Sequence, residues 1–398
     1  MYDIEINTAE KEFCSYDYSK LDKIDQVDYD KITYDSFFTK YMLKNIPCII
    51  KNVSSTWECN RKWTEDGKII YDYFSETYGD LEAPIADCDK INFNSHCKTD
   101  MKVSAYMTYL KSTNKDKLLY LKDWHLQRLR PSDAFYEIPL LFASDWLNEY
   151  AVDHRSDDFM FVYIGPRESW TPLHADVYNS YSWSVNVVGK KKWILLPPGE
   201  EEKLKDALGN LPLFTDVTRN VKYFEIIQEQ GDAIFVPSGW FHQVLNLLDT
   251  ISINHNWINA CNIDHVWEAL QCSLTSVEKE IEEFRDTPEY YSQCQLILKS
   301  LFGMDYVSFI TFLIYISKKR LNQMEASNKL EFQKFEFGHN HKRFDIKVLS
   351  KIINDIDMSQ DLFFNNFCPA HLKNDFMSTK LLLSSFNNFK DCANQGPA

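Results

Sequence analysis

Two histidines and an aspartate have the residue types and spacing of a metal site. His174 and Asp176 lie two positions apart in SWTPLHADVYNS (169–180), a segment rich in strand-forming residues. Residues i and i+2 of a strand point to one face, so these two side chains are predicted to project together. His242, in GDAIFVPSGWFHQVLNL, supplies a third ligand at the start of a later strand. Two histidines and one carboxylate leave three octahedral positions open, the arrangement that non-haem iron(II) oxygenases use.

Each of these features is weak when it is taken alone. An HxD pair in a strand is common by chance, and a single late histidine is more often a surface or core residue. The surroundings of His242 favour the metal interpretation, because the turn residues GD and PSG bracket the apolar run IFVP just before it. The sequence therefore predicts an iron(II) site, although 66 positions separate Asp176 from His242.

An oxygenase of this kind also needs an electron source. A dicarboxylic oxo-acid can serve, but its distal carboxylate requires a cation, and GKKKW offers three consecutive lysines. If Gly189 and Lys190 form the turn of a hairpin, cross-strand pairing places Lys191 on one face with Asn186 and Ser184. The lysine at the turn and the third lysine, which faces the other way, are expected to be solvated.

The remaining pattern predicts an α+β chain in which strands cluster between residues 159 and 258 and fit a barrel or sandwich. After residue 260 the apolar period changes to about 3.6, which predicts helices. Other helices are predicted at 34–43, 100–111, 143–151 and 200–208, and strands at 47–53, 118–124, 159–165, 181–188, 191–197, 222–228 and 250–257. The predicted regions are a polar extension at 1–30, mixed α/β elements at 31–150, a β core at 151–260 and a helical region at 261–398.

Composition limits the classes of partner. The 398 residues carry a formal net charge of −15, so nucleic acid is not expected as a direct partner, whereas a basic protein substrate would be attracted. The longest apolar run, VSFITFLIYI at 307–316, is shorter than the ~20 residues that span a membrane. The N-terminus lacks a signal-peptide core, and the ten cysteines form no CxxC pair. We expect a cytoplasmic protein with reduced thiols and no membrane partner, and entry to the nucleus stays open.

Three segments carry a family resemblance. HAD, then SWSVNVVGKKKWILLPPG, then GDAIFVPSGWFHQVLNLLDTISINHNW resemble, in that order, the JmjC family of Fe(II)- and 2-oxoglutarate-dependent oxygenases. PIADC, YLKDWHL and SDWLNEY are similar to one branch of that family, a protein lysyl hydroxylase. The resemblance covers about residues 34–325.

The resemblance implies a double-stranded β-helix, which is a cupin-like jelly roll. It also implies Fe(II) as cofactor and 2-oxoglutarate and dioxygen as co-substrates. His174, Asp176 and His242 match the iron ligands of the family. Lys191 matches the lysine that pairs with the distal carboxylate of 2-oxoglutarate, and Thr171 matches a hydroxyl that contacts the same co-substrate.

Four further residues are predicted to line the co-substrate pocket. Tyr120 matches a second hydroxyl partner, and Asn186 and Asn256 are expected as polar groups of the pocket. Ser184 stands where many relatives have asparagine, which leaves the contacts to the oxo-acid open.

The branch resemblance implies hydroxylation of a lysine in the eukaryotic translation termination release factor. The helices after residue 260 are expected to form a homodimer surface, or to act as a lid and brace for the core, rather than to form a second active domain. One alternative is a JmjC histone lysine demethylase, although no Cys/His reader module or long basic arm is present. Another is a cupin-like binding protein without turnover. A third is an RNA-linked scaffold that uses SKKRLNQ (317–323) and HNHKRF, but the first segment is expected to be a solvated helix end and the second a polar loop.

Overall fold

The computed structural model describes residues 3–10, 16–92, 95–206, 211–212, 221–325, 329, 333–356, 365 and 368–393. In these ranges the strands are β1 (Asp25–Asp28), β2 (Cys48–Lys51), β3 (Thr64–Glu65), β4 (Lys68–Ile69), β5 (Glu82–Asn92), β6 (Ser95–Lys102), β7 (Leu119–Trp124), β8 (Met160–Gly165), β9 (Trp170–His174), β10 (Tyr181–Val188), β11 (Lys191–Leu196), β12 (Phe224–Gln228), β13 (Ala233–Val236), β14 (Phe241–Asn246) and β15 (Thr250–Trp257). The α-helices are α1 (Tyr34–Phe37), α2 (Glu58–Trp63), α3 (Tyr71–Tyr78), α4 (Val103–Lys111), α5 (Leu126–Leu129), α6 (Trp146–Asp153), α7 (Ile263–Glu280), α8 (Tyr290–Phe302), α9 (Tyr306–Glu325), α10 (His339–Asp355) and α11 (Ala370–Ala393).

Two sheets form the β core. The larger has nine strands in the order β1-β2-β13-β10-β15-β8-β7-β5-β6, and the smaller has four in the order β12-β11-β14-β9. Pairing is antiparallel throughout the small sheet, and the parallel pair β1-β2 lies at the edge of the large one. The α+β class, with a two-sheet jelly-roll core and helices after it, is confirmed.

Strands β10 and β15 separate an apolar face from a polar one. Tyr181, Trp183 and Val185 join the main hydrophobic core, which the helices cover. The alternate residues of β10 face the space between the sheets, because side chains alternate along a strand and cross-strand partners share a face. The partners on that face are Ser182 with Asn256, Ser184 with Asn254, and Asn186 with Ser252. We call the part of this space that β10 and β15 line the polar interior, and its side chains indicate a ligand site beside the hydrophobic cluster of Trp193, Leu195 and Ile234 that the two sheets also enclose.

The chain crosses from one sheet to the other at Gly189, so the predicted hairpin is wrong. Strand β10 hydrogen-bonds to β13 and β15, whereas β11 hydrogen-bonds to β12 and β14. Both edges of β10 are therefore paired with other strands, so β11 cannot pair with β10. Gly189 has a φ of +92°, and a Cβ there would lie 2.4 Å from the carbonyl oxygen of Asp249. The turn residues at this position therefore connect two sheets rather than two paired strands. Because β10 and β11 do not pair, the inward direction of Lys191 cannot be derived from cross-strand pairing with β10.

The short elements of the fold differ more from the prediction than the long periodic segments do. The first predicted helix is α1, which continues as a π-helical turn over Phe38–Met42. The helix predicted at 200–208 is a single 3-10 turn, Glu201–Leu204, in its described part. The β5-β6 pair was not predicted, because its outer half reads CDKINFNSHCKTD and lacks apolar alternation.

The apolar stripe FITFLIY belongs to the core. Phe309, Ile310 and Leu313 of α9 are buried in the main hydrophobic cluster. The ring of Trp267 in α7 stacks on Phe309, with centroids 5.2 Å apart and planes at 11°. These contacts place the stripe in the core of the protein.

Membrane-spanning helices and disulfides are the next features to describe in the fold. Within the described ranges no single helix has the length and apolar composition to cross a membrane, and only α8 and α9 counted together, with a bend of 69°, meet that test. No disulfide joins the cysteines whose side chains are described.

The basic segment 317–323 is not a solvated helix end. Arg320 is fully buried, and its Nη2 lies 2.6 Å from Oε2 of Glu149 in α6. Its Nε lies 2.9 Å from Oδ2 of Asp345 in α10. This ion cluster joins the C-terminal helices to the helix behind the β core.

The segment HNHKRF is the start of α10 rather than a polar loop. His341 is buried, and a hydrogen bond of 2.8 Å joins its Nε2 to the hydroxyl of Tyr34. Ile4 and Ile6, from the predicted polar extension, are buried in the same hydrophobic cluster as Phe337.

Candidate metal and co-substrate site

The structure brings the three predicted metal ligands together. Strand β9 ends at His174, and antiparallel pairing places His174 directly opposite His242 of β14. Asp176 lies just beyond the strand but keeps an extended backbone, with φ −67° and ψ 153°. One ligand atom from each of the three residues falls within a group no more than 4.8 Å across.

Backbone carbonyls orient both imidazoles. Nδ1 of His174 donates to the carbonyl of Pro172 at 2.8 Å, and Nδ1 of His242 donates to the carbonyl of Trp240 at 3.0 Å. A carbonyl only accepts, so the proton is on Nδ1 and the lone pair of Nε2 is left for a metal. Burial, together with His242, lowers the pKa of His174 to about 4, so the neutral form that a metal requires is present at neutral pH.

Asp176 is held by a hydroxyl from the large sheet. Ser182 of β10 donates to Oδ2 of Asp176 at 2.6 Å. Because this bond fixes one carboxylate oxygen, the other can turn towards the histidines. The metal site therefore depends on contact between the two sheets as well as on β9.

We expect Ser182→Ala to lower metal affinity about 10- to 100-fold, the usual cost of losing a partner of a metal ligand. Titration with Mn(II) measures this. Ser276→Ala is the matched control, since that hydroxyl caps a carbonyl on the exposed surface of α7. Equal affinities for the two variants would refute the role of Ser182.

Lys191 is buried at the other end of the polar interior. It is opposite Asn246 of β14, in the register that places Leu195 opposite His242, so its side chain points inward. Nζ of Lys191 donates to Oγ of Ser252 at 2.6 Å. Burial, with a smaller effect of a second lysine, lowers its pKa to about 7.

The two flanking lysines behave as predicted. Lys190 pairs with Glu229 at 2.7 Å, and Lys192 pairs with Glu225 at 2.8 Å. Both side chains are about one-third exposed. Only Lys191 of the three faces the interior.

Thr171 lies on the same inner face of the small sheet, opposite Val244. Its Oγ1 accepts a hydrogen bond of 2.8 Å from Nζ of Lys122 in β7. The same ammonium lies 4.8 Å from the ring centroid of Tyr120, a predicted pocket residue that is also buried. The second lysine was not predicted.

The other predicted pocket residues line β10 and β15. Ser184 Oγ is buried and has no hydrogen-bond partner among the described residues. Asn186 donates to the carbonyl of Gln228 at 3.1 Å. Asn256 donates to Oγ of Ser180 at 3.3 Å. These side chains sit in the polar interior, but their contact with a co-substrate stays a prediction.

Four residues that contact the predicted site residues were not predicted from the sequence. They lie on other strands, and they are Lys122, Ser182, Trp193 and Ser252. The available signal was an alternation of Ser and Asn in YSWSVNVV and TISINHNW, which marks a polar inner face. A lysine inside the strand LYLKDW was a second signal.

The donor set fits iron and a dicarboxylic oxo-acid. Two imidazoles and one carboxylate suit iron(II) with open positions. Across the described chain, no carboxylate lies within 4.0 Å of the Lys191 ammonium, so the distal carboxylate of a bound oxo-acid can form an ion pair with it. The hydroxyl of Ser184 has no hydrogen-bond partner among the described residues, so it is available for a further polar contact.

Comparison with known proteins gives a consistent picture. A family described as "Cupin-like domain" matches residues 34–263. The chain is 41% identical over 361 residues to a Drosophila melanogaster protein named 2-oxoglutarate and iron-dependent oxygenase JMJD4 homolog, with 81% of this chain and 85% of that protein covered. It is 43% identical over 312 residues to the Homo sapiens protein named 2-oxoglutarate and iron-dependent oxygenase JMJD4, covering 73% and 74%. It is 36% identical over 322 residues to an Arabidopsis thaliana protein named Arginine-specific demethylase JMJ20, covering 73% and 69%.

Proposed function

The chain belongs to the cupin-like JmjC family of iron- and 2-oxoglutarate-dependent oxygenases, and we propose that it hydroxylates a lysine of the eukaryotic translation termination release factor. The observation that carries the chemistry is one polar interior that holds both the His-Asp-His group and the buried Lys191. The choice of substrate is supported by the branch resemblance of YLKDWHL and SDWLNEY. The net charge of −15 favours a basic protein surface.

Bound iron and 2-oxoglutarate would supply the oxidising power, so that substrate C–H, dioxygen and 2-oxoglutarate become C–OH, carbon dioxide and succinate. The chain's own residues bind and orient the reactants. His174, Asp176 and His242 would hold the iron, and three protein ligands are the number that such iron(II) sites use. Lys191 would neutralise the distal carboxylate and so set the direction in which the oxo-acid lies. Holding the substrate C–H close to the metal favours its oxidation over side reactions.

Mass spectrometry of recombinant release factor tests the proposal. The factor is incubated with the full-length protein, Fe(II), 2-oxoglutarate and oxygen, beside His174→Ala as control. We expect one added oxygen on a lysine, absent from the control. Succinate formed without added oxygen on the factor would contradict the proposed substrate but would be consistent with oxygenase activity.

N-demethylation is the second candidate, because the Arabidopsis thaliana relative is named an arginine-specific demethylase. Oxidation of an N-methyl C–H at the same site would release formaldehyde. Methylated lysine and arginine peptides, including histone tails, therefore belong in the same assay. Formaldehyde from these peptides, together with an unmodified release factor, would favour this candidate. Absence of succinate under every condition would favour a binding protein without turnover.

A further inference from the structure

A second lysine is buried where the co-substrate is predicted to lie. Lys122 of β7 is 5% exposed. Its Nζ donates to Oγ1 of Thr171 at 2.8 Å and to the carbonyl of Trp170 at 3.2 Å. Both acceptors are neutral, so these bonds satisfy two of the three ammonium donors but bring no negative charge to the ammonium.

The neighbouring carboxylate does not neutralise Lys122. Asp123 forms an ion pair with Lys98 and accepts a hydrogen bond from the hydroxyl of Tyr163. In the described part of the chain, Lys122 has no carboxylate within 4.0 Å. A buried cation without an anionic partner is costly, and burial lowers the pKa of Lys122 to about 8.

Strand register directs Lys122 and Lys191 towards one region. Thr171, which accepts from Lys122, is opposite Val244, and Lys191 is opposite Asn246. Positions 244 and 246 are two apart on β14, so they share its inner face. Lys122 belongs to β7 of the large sheet and Lys191 to β11 of the small sheet, so the two ammonium groups enter this region from different sheets.

We propose that Lys122 is a second cationic contact for the distal carboxylate of 2-oxoglutarate, which it shares with Lys191 and the hydroxyl of Thr171. The proposal rests on the predicted placement of that carboxylate at Lys191 and Thr171. Thr171 accepts from Lys122, so its own proton is available to donate to the carboxylate. A carboxylate has about four lone-pair sites and can accept from all three groups.

This arrangement has a consequence for specificity. A 2-oxo acid without a distal carboxylate would leave both buried ammonium groups without an anionic partner, whereas the distal carboxylate of 2-oxoglutarate would contact both. Sites built for a polar group reject analogues that lack it, because the buried partners are left without hydrogen bonds. The pair of lysines would thus select dicarboxylic over monocarboxylic oxo-acids.

Calorimetry on the full-length, Mn(II)-loaded protein tests the proposal without any protein substrate, so its outcome is independent of the release factor. The variant is Lys122→Met, and the probes are 2-oxoglutarate and 2-oxopentanoate, which has a methyl group in place of the distal carboxylate. We expect the dissociation constant of 2-oxoglutarate to rise about 10- to 150-fold, the range for a lost hydrogen bond to a charged group. The constant for 2-oxopentanoate should stay the same or fall.

Four controls make the test specific. Mn(II) affinity reports whether each variant keeps its fold, and Lys122→Gln, which retains a donor to Thr171 without the charge, should repeat the result. Lys98→Met removes a neighbouring lysine that pairs with Asp123, and we expect a change of less than about threefold. Lys122→Met and Lys191→Met should be non-additive in the double variant, because both act on one carboxylate. Equal weakening of both oxo-acids, or unchanged binding of 2-oxoglutarate, would overturn the proposal.

Discussion

Lys191→Met is expected to weaken 2-oxoglutarate binding by about 2–5 kcal/mol, the cost of truncating one partner of a buried, hydrogen-bonded charge pair. That range corresponds to a loss of about 30-fold or more in affinity. The reason is that Lys191 is 2% exposed and no described carboxylate competes for its ammonium. Calorimetry with the Mn(II)-loaded protein measures the effect.

Lys192→Met is the matched control. Lys192 is the next residue along β11, but it faces outward and pairs with Glu225. Exposed ion pairs contribute about 0–1 kcal/mol, so the co-substrate affinity of this variant should be nearly unchanged. Comparable losses in both variants would mean that local charge, and not the inward position of Lys191, governs binding.

Binding should also depend on pH in a predictable direction. Burial lowers the pKa of Lys191 to about 7, whereas an ion pair with the co-substrate would raise it. Above pH 7 the free site must therefore take up a proton when 2-oxoglutarate binds, so affinity falls as pH rises. Lys122, with a pKa of about 8, contributes in the same sense. Calorimetry from pH 7 to pH 9 should show a smaller decline in Lys191→Met than in the parent protein.

Arg320→Ala is expected to cost about 3–5 kcal/mol of unfolding free energy, because it leaves two buried carboxylates without their shared cation. Glu149 and Asp345 are each no more than 1% exposed, and both bond directly to the guanidinium. Lys319 reaches Glu149 at 3.0 Å and can offset part of the loss. Urea denaturation of the full chain measures the change.

Arg285→Ala provides the control for this prediction. Its guanidinium lies 4.0 Å from Glu282, and both side chains are more than half exposed. We expect a change of about 1 kcal/mol or less. A similarly small change for Arg320→Ala would contradict the view that the buried cluster stabilises the chain.

The Arg320 cluster also bears on the active site, because α6 is joined to the end of β15. The backbone N–H of Trp146 donates to the carbonyl of Ile258 at 2.7 Å, and the Asn148 side chain donates to the carbonyl of Asn256 at 2.9 Å. Asn256 is the cross-strand partner of Ser182, which holds Asp176. The helices after residue 260 therefore support the wall of the polar interior.

The residues that carry the chemistry could be identified from the order of amino acids alone. His174 and Asp176 are two positions apart, so local backbone geometry is enough to bring them together. The motifs around His242 and Lys191, and their order along the chain, carried the family resemblance that comparison confirmed. Long helices and regular strands were also predictable, since their periodicity is a local property of the chain.

Which distant residues lie close together follows from the folding of the chain and not from its local patterns. Gly189 and Lys190 have the residue types of a hairpin turn, but both edges of β10 are paired with β13 and β15, and local turn residues carry no information about these partners. Lys122 lies 49 positions before Thr171 and reaches it only because β7 and β9, from different sheets, meet across the polar interior. Sheet pairing is non-local, so neither the partner of a buried lysine nor the burial of Arg320 can be derived from spacing along the chain.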